Sequence, residues 1–109
     1  MTNTVIVSRH ASAIAFIARH MGGKVVGGAA PTHVEMPDGA LVPIITGNAT
    51  AHDVVGRTIY GNIPMQLAAC AHAVYALEFA GAPPRGQEYG LEEMDAAGAR
   101  LIGYTVHAI

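Results

Sequence analysis

Charge is scarce in this chain of 109 residues. Acidic and basic side chains make up only 13%, and the formal net charge is −2. Such a balance gives no bulk field to draw in long nucleic acid. Any nucleotide ligand is therefore expected to be small, or held by a local basic patch. Cysteine is nearly missing: Cys70 is the single one, which excludes an internal disulfide and fits a reducing, cytoplasmic setting. No apolar run approaches the length of a membrane span, and no basic leader precedes an apolar segment as in a secretory signal, so neither membrane nor export is expected.

Several chemistries are missing as well. The six histidines include no i, i+4 pair around a Glu, and no cysteine pair exists to build a structural zinc site. No metal and no cofactor is expected. The glycines at 22, 23, 27 and 28 have neither the order of a phosphate-binding P-loop nor that of a dinucleotide fingerprint. Ser8 sits in no Gly-x-Ser-x-Gly elbow. Cys70 lies among alanines, where a small buried thiol is the expected state.

What is present is apolar. Hydrophobic residues make up 51%, too much for disorder, and the length suits one domain over residues 1–109. So little charge on a small domain points to apolar surface covered by a partner or by a second copy.

The stretch TVIVSRHASAIAFIARHM, residues 4–21, organises the rest. A β-branched run, Thr4-Val5-Ile6-Val7, leads through Ser8-Arg9-His10 into an Ala-rich segment whose Ile14, Ile17 and Met21 recur at helical spacing. This is a strand feeding an amphipathic helix, and Gly22-Gly23 ends that helix. Lys24-Val25-Val26 is short, and residues 27–31 read as loop. Pro37-Asp38-Gly39-Ala40 between two apolar runs, residues 32–36 and 41–45, predicts a β-hairpin. Residues 46–53 are polar and read as loop. Residues 57–60 form a strand that exits through Gly61-Asn62-Ile63-Pro64 into a helix over residues 65–73, with Pro64 suited to its first turn. An apolar run over 73–79, a Pro- and Gly-rich loop over 81–90, a short helix over 91–97 and a closing strand over 101–106 complete the chain. Strands alternating with helices predict an α/β fold with a mostly parallel sheet flanked by helices and an inserted β-hairpin.

In an open parallel sheet, ligands bind at the carboxyl ends of the strands, where helix N-termini favour anions. Two strand-to-helix turns meet that description. One offers Ser8, Arg9 and His10; the other offers Gly61, Asn62, Ile63 and Pro64, with Gln66 just beyond. A cation, an imidazole and a hydroxyl at the first suit an anionic ligand such as a phosphate. A third candidate is the loop with Arg85, Gln87 and Glu88, since long loops of small domains are often functional.

Three stretches, VIVSRHASAI, GRTIYGNIPMQLAA and RGQEYGLEEMDAAGARLIGYTV, together resemble a small family of CRISPR-associated accessory proteins of type III systems that act as ring nucleases. The family pattern has a strand ending in Thr-Arg-His, a Gly-Thr-Leu-Pro turn before an Ala-rich helix, and a closing Arg-Gly-x-Glu-Leu followed by Met and Gly-Ala-x-Leu. The likeness covers somewhat under two-thirds of the chain. Ser8 stands where Thr is usual, Asn62 replaces Thr, Gln66 replaces a frequent His, and Arg57 replaces an acidic residue. Residues 22–53 match little.

The resemblance implies a Rossmann-like domain of the CARF type that works as a homodimer around a symmetric ligand, cyclic oligoadenylate, with the tetra-adenylate foremost. It implies metal-independent cleavage by ribose 2′-OH attack, which leaves 2′,3′-cyclic phosphate ends and switches off type III signalling. A non-catalytic sensor or sponge for the same ligand is the alternative. On this reading Arg9 and His10 are catalytic. Arg9 meets phosphate charge, and His10 hydrogen-bonds or moves a proton, since imidazole is the side chain suited to that near neutrality. Ser8, Ala11, Gly61, Asn62, Ile63, Pro64 and Gln66 line the ligand, with Arg85 and Glu88 closing over it.

Overall fold

A computed structural model describes residues 3–80 and 90–109. In chain order the elements are β1 Thr4–Val7, α1 Ala11–Met21, β2 Lys24–Val26, β3 His33–Glu35, β4 Leu41–Ile45, α2 Ala51–Val54, β5 Thr58–Tyr60, α3 Met65–Ala68, β6 Ala73–Glu78, α4 Leu91–Ala96 and β7 Arg100–Tyr104. The seven strands form one sheet in the order β2-β3-β4-β1-β5-β6-β7.

β1 lies near the middle because its side chains are apolar on both faces. Ile6 joins Ile17 and Ala18 of α1, with Val34 and Val42, in one buried cluster. Val5 and Val7 point the other way and pack with Val54 of α2, Ile59, Ala68 of α3 and Val74. An unbroken apolar strand with period-2 alternation between two cores is the mark of a sheet covered on both sides. Helix α1 thus covers one face, and the short α2 and α3 cover the other. Helix α4 lies on the α1 side, where the Asp95 carboxylate accepts two bonds from the Arg19 guanidinium at 2.6 and 3.2 Å. Both side chains are about half exposed, so this pair orients α4 more than it stabilises the fold.

The mostly parallel sheet that the sequence suggests is in fact evenly mixed. β1 pairs in parallel with β4 and β5, and β5 with β6. The β2–β3, β3–β4 and β6–β7 pairings are antiparallel. The hairpin accounts for part of this, because a tight Pro37-Asp38-Gly39-Ala40 connection can join only antiparallel strands. Its register sets Val34 opposite Val42, and both are buried. At the other edge β7 returns antiparallel to β6.

Three further expectations are revised. The polar stretch 46–53 contains α2. Asp53 supplies one half of a capping box: the Thr50 N–H donates to Asp53 Oδ2 at 2.7 Å, and the Thr50 hydroxyl donates to the same oxygen at 3.0 Å. The Thr-x-x-Asp spacing is itself a helix-start signal. Helix α3 ends at Ala68 rather than 73, because the Cys70 carbonyl turns away to accept the Gly56 N–H and the His72 N–H donates to Arg57 across the chain. Cys70 is exposed for the same reason, its thiol facing the Gln66 carbonyl at 3.5 Å. By contrast, Gly22 ends α1 as expected. Its φ of 79° is left-handed, and Gly23 donates back to Ala18 at 2.9 Å, the bonding of a Schellman cap.

Gly61 is the tightest backbone position near the strand ends. It is buried, has φ +131°, and a Cβ there would overlap the Val7 carbonyl oxygen. Replacing it with alanine combines backbone strain with a clash against rigid main chain. Gly61→Ala should lower unfolding stability by about 3 kcal/mol, or Tm by roughly 15 °C in a domain of this size, as followed by circular dichroism. A loss under about 1 kcal/mol would mean that β5 can move away from β1 freely.

Two carboxyls titrate below their ordinary range. Asp53 is held down first by the Thr50 backbone N–H and then by the Thr50 hydroxyl, and Asp95 by the hydrogen bond from Arg19. Each folded pKa lies below the unfolded one, so the stabilisation is present above about pH 4 and disappears as pH falls through the folded values. The Tm gap between wild type and an Asp53→Asn/Asp95→Asn double variant should therefore close between about pH 6 and pH 2. A gap independent of pH would contradict this assignment.

Candidate functional site at the carboxyl ends of four parallel strands

Strands β4, β1, β5 and β6 are mutually parallel neighbours, so all four end at one edge of the sheet. A cavity of about 820 Å³ opens there, within the size range that holds small ligands. After β1 it is lined by Ser8, Arg9 and His10, with Ser12 and Ala13 from the first turn of α1. After β4 come Gly47, Asn48 and Ala49. After β5 come Gly61, Asn62, Ile63 and Pro64, with Gln66 and Leu67 from α3. Leu77 and Phe79 of the β6 end, Ile17 and Met94 supply the remaining apolar wall.

Eight of the nine candidates named from sequence at the first two turns converge on this cavity. Ala11 does not line it; the helix turns that methyl outward, and Ser12 and Ala13 face the cavity in its place. Arg85 and Glu88 lie outside the described residues. Gly47, Asn48 and Ala49 were not legible as site residues, because their loop follows a hairpin strand. Only the parallel β1–β4 pairing brings it alongside Arg9.

The cavity rim is electrostatically one-sided. Among the described lining residues there is one permanent cation, Arg9, one imidazole, His10, and no carboxylate. Helix α1 adds the positive end of an 11-residue dipole. Its N-cap, His10, uses backbone alone: the His10 N–H donates to Ser8 Oγ at 3.2 Å, and the His10 carbonyl accepts the Ile14 N–H at 3.1 Å. Ser8 in turn donates its own N–H to Ile45 at 3.1 Å, which carries the β1–β4 ladder one residue further. The Ser-Arg-His turn is thus tied to β4 before it reaches the helix. The second helix N-terminus expected here is weaker, since α3 has only 4 residues, too few for a developed dipole.

Asn62 lines the cavity, and its side chain also bonds within the fold. Its Oδ1 accepts the Leu77 N–H at 2.9 Å, and its Nδ2 donates to the Leu77 carbonyl at 3.3 Å. The side-chain amide takes the place of a peptide group and lengthens the β5–β6 ladder beyond the Tyr60–Tyr75 pair. It holds the cavity wall together, and both of its polar atoms are already engaged. No group of three His, Cys, Asp or Glu side chains among the described residues is arranged to hold a metal ion. No helix among them is long and apolar enough to cross a membrane.

The fold is that of a mixed α/β domain with a cavity at its parallel strand ends, lined by Arg9 and His10. Residues 5–107 match the family described as "Putative CRISPR-associated protein (Cas_VVA1548)". That match spans nearly the whole chain, including the 22–53 region, and the chain belongs to this CRISPR-associated family. No curated protein and no solved structure matches it.

Asn62→Ala should cost about 1–2 kcal/mol for the two lost hydrogen bonds, with a matching fall in the urea midpoint at unchanged m. An Asn62→Ala protein of wild-type stability would show that the Leu77 pairing is not structural.

Proposed function

We propose that the protein is a ring nuclease that binds cyclic oligoadenylate, with the tetra-adenylate as its foremost ligand, and cleaves it to linear products with 2′,3′-cyclic phosphate ends. The observation that carries this reading is the cavity itself: Arg9, His10 and the α1 N-terminus meet there with no described carboxylate on the rim, in a protein of net charge −2. That is a local answer to a polyanionic ligand. Membership of a CRISPR-associated family and the resemblance of the turns to type III ring nucleases supply the ligand class. On this reading the protein works in the cytoplasm and switches type III signalling off.

A cavity of about 820 Å³ suits a ligand nearer two nucleotides than four, so a symmetric ring would be shared by two copies of the chain. In a two-fold dimer each pocket takes half of the ring, and Arg9 is doubled around it. The domain would be Rossmann-like in the CARF manner, with its ligand at the strand ends.

In the reaction the ribose 2′-oxygen attacks the neighbouring phosphorus. A P–O2′ bond forms, the P–O5′ bond breaks, and the 2′ proton is passed on as the 5′-oxygen gains one. The protein aligns attacking and leaving oxygens and stabilises charge on the phosphoryl oxygens. Arg9 meets that charge. His10, at the start of α1, exchanges the proton or hydrogen-bonds the reacting oxygen. Ser8 positions the ribose or phosphate, and Arg85 and Glu88 close over the ring. No metal is required.

Gln66 favours a second reading. It lines the cavity where the resembling family often has His, and an amide cannot transfer a proton. A protein that binds the ring without cutting it would be a sensor or sponge.

Incubation with cyclic tetra-adenylate in EDTA, followed by chromatography, separates the two. Linear di-adenylate with cyclic phosphate ends is the expected product; intact ring co-eluting with the protein would favour the sponge. Arg9→Ala should weaken binding about tenfold or more, and His10→Ala should slow turnover roughly 100-fold with little effect on binding. Wild-type rates in both variants would overturn the assignment.

A further inference from the structure

We propose that Asn48 reads the base of the bound nucleotide and sets the preference for adenine. This rests on the cyclic nucleotide reading above and adds a residue that the sequence did not single out. Four observations carry it.

Of the two asparagines on the cavity, Asn62 has its amide engaged with Leu77. Asn48 lines the same cavity, is exposed, and hydrogen-bonds to no other described residue through its side chain. Its loop is anchored at both ends. Ile45, just before the loop, accepts the Ser8 N–H at 3.1 Å. Thr50, just after it, is locked to Asp53 at 2.7 and 3.0 Å. The neighbouring Ala49 packs on the buried cluster of Val5, Val7 and Val54. Asn48 is therefore a short, two-torsion side chain on a loop held at both ends, and it lines the cavity.

Its place relative to Arg9 also matters. β4 and β1 are adjacent and parallel, so the loop that carries Asn48 leaves the strand next to the one that ends at Arg9, and both residues line the same cavity. A base attached to a phosphate held at Arg9 can reach Asn48. A carboxamide offers one acceptor and one donor in a plane. Adenine presents the complement, the N6 amino donor beside a ring nitrogen acceptor. The discriminating edge is N6/N7: there hypoxanthine offers two acceptors, O6 and N7, so the Asn amide nitrogen can donate to one while the Asn oxygen faces the other with no donor to accept from. Gln66, the other amide on the cavity, stands on the one-turn α3 on the far side of β1 and has one more torsion to fix, so it is the weaker candidate.

The test compares binding of cyclic tetra-adenylate and cyclic tetra-inosinate by calorimetry, for wild type, Asn48→Ala, Asn48→Leu and Gln66→Ala. Wild type should prefer the adenylate ring about tenfold or more. Asn48→Ala and Asn48→Leu, which remove the amide, should lose most of that preference, and Gln66→Ala should keep it. The preference is a ratio within one variant, so partial loss of folded protein, which lowers both affinities together, does not imitate the effect. A wild-type ratio retained in both Asn48 variants, a ratio lost in Gln66→Ala instead, or a wild type that binds both rings equally would each overturn the inference while leaving the ring-binding reading intact. A wild type that binds neither ring would bring down that reading and this inference with it.

Discussion

The backbone of Gly61 lies against the last carbonyl of β1, and the rest of the site depends on that contact. With any side chain at this position the exit from β5 would be pushed off Val7, and the two turns that face the cavity would part. Because the approach holds, Gly61 can donate to Tyr75 at 3.0 Å and Asn62 can continue the ladder through Leu77. On the other side of β1, Ser8 does the same for β4 through Ile45. Ser8 thus extends the β1–β4 ladder by one residue and Asn62 extends the β5–β6 ladder, and four strand ends are held flush. The cavity is the space left above them.

The apolar cores and the site are two aspects of one arrangement. Ile6 faces α1 and Val5 and Val7 face α2 and α3, so β1 is buried on both faces and cannot shift. Helix α1 is held at its far end by the Gly22-Gly23 cap and laterally by the Arg19–Asp95 pair. Its free N–H groups are therefore fixed at the cavity, and a fixed dipole needs no reorganisation when charge arrives. The chain is poor in charge overall, which makes the one-sided rim effective: there is little opposing field nearby to cancel Arg9.

Much of this was legible in the residues. The run Thr4-Val5-Ile6-Val7, the helical spacing of Ile14, Ile17 and Met21, the double glycine and the Pro37-Asp38-Gly39 turn each follow local rules, and the elements stand where those rules put them. Ser8, Arg9, His10 and Gly61 through Pro64 could be placed at one edge because adjacent apolar strands with helical connections tend to pair in parallel. What could not be read was longer in range. Nothing local says that β7 returns antiparallel, that α3 stops after one turn and exposes Cys70, or that the Asn62 amide pairs with a main chain fifteen residues later. Asn48 was missed because its loop becomes part of the site only through the β1–β4 pairing. The Thr50–Asp53 cap was the one local signal overlooked, hidden in a stretch whose polarity suggested loop.

The most direct test of the account is a titration of isotope-labelled protein with cyclic tetra-adenylate, followed by amide chemical shifts. The account predicts shifts concentrated at residues 8–13, 47–49 and 61–67, on all three turns together, with β2 and β3 unaffected. Saturable shifts centred elsewhere, or confined to one turn, would contradict the claim that the four strand ends form a single ligand site.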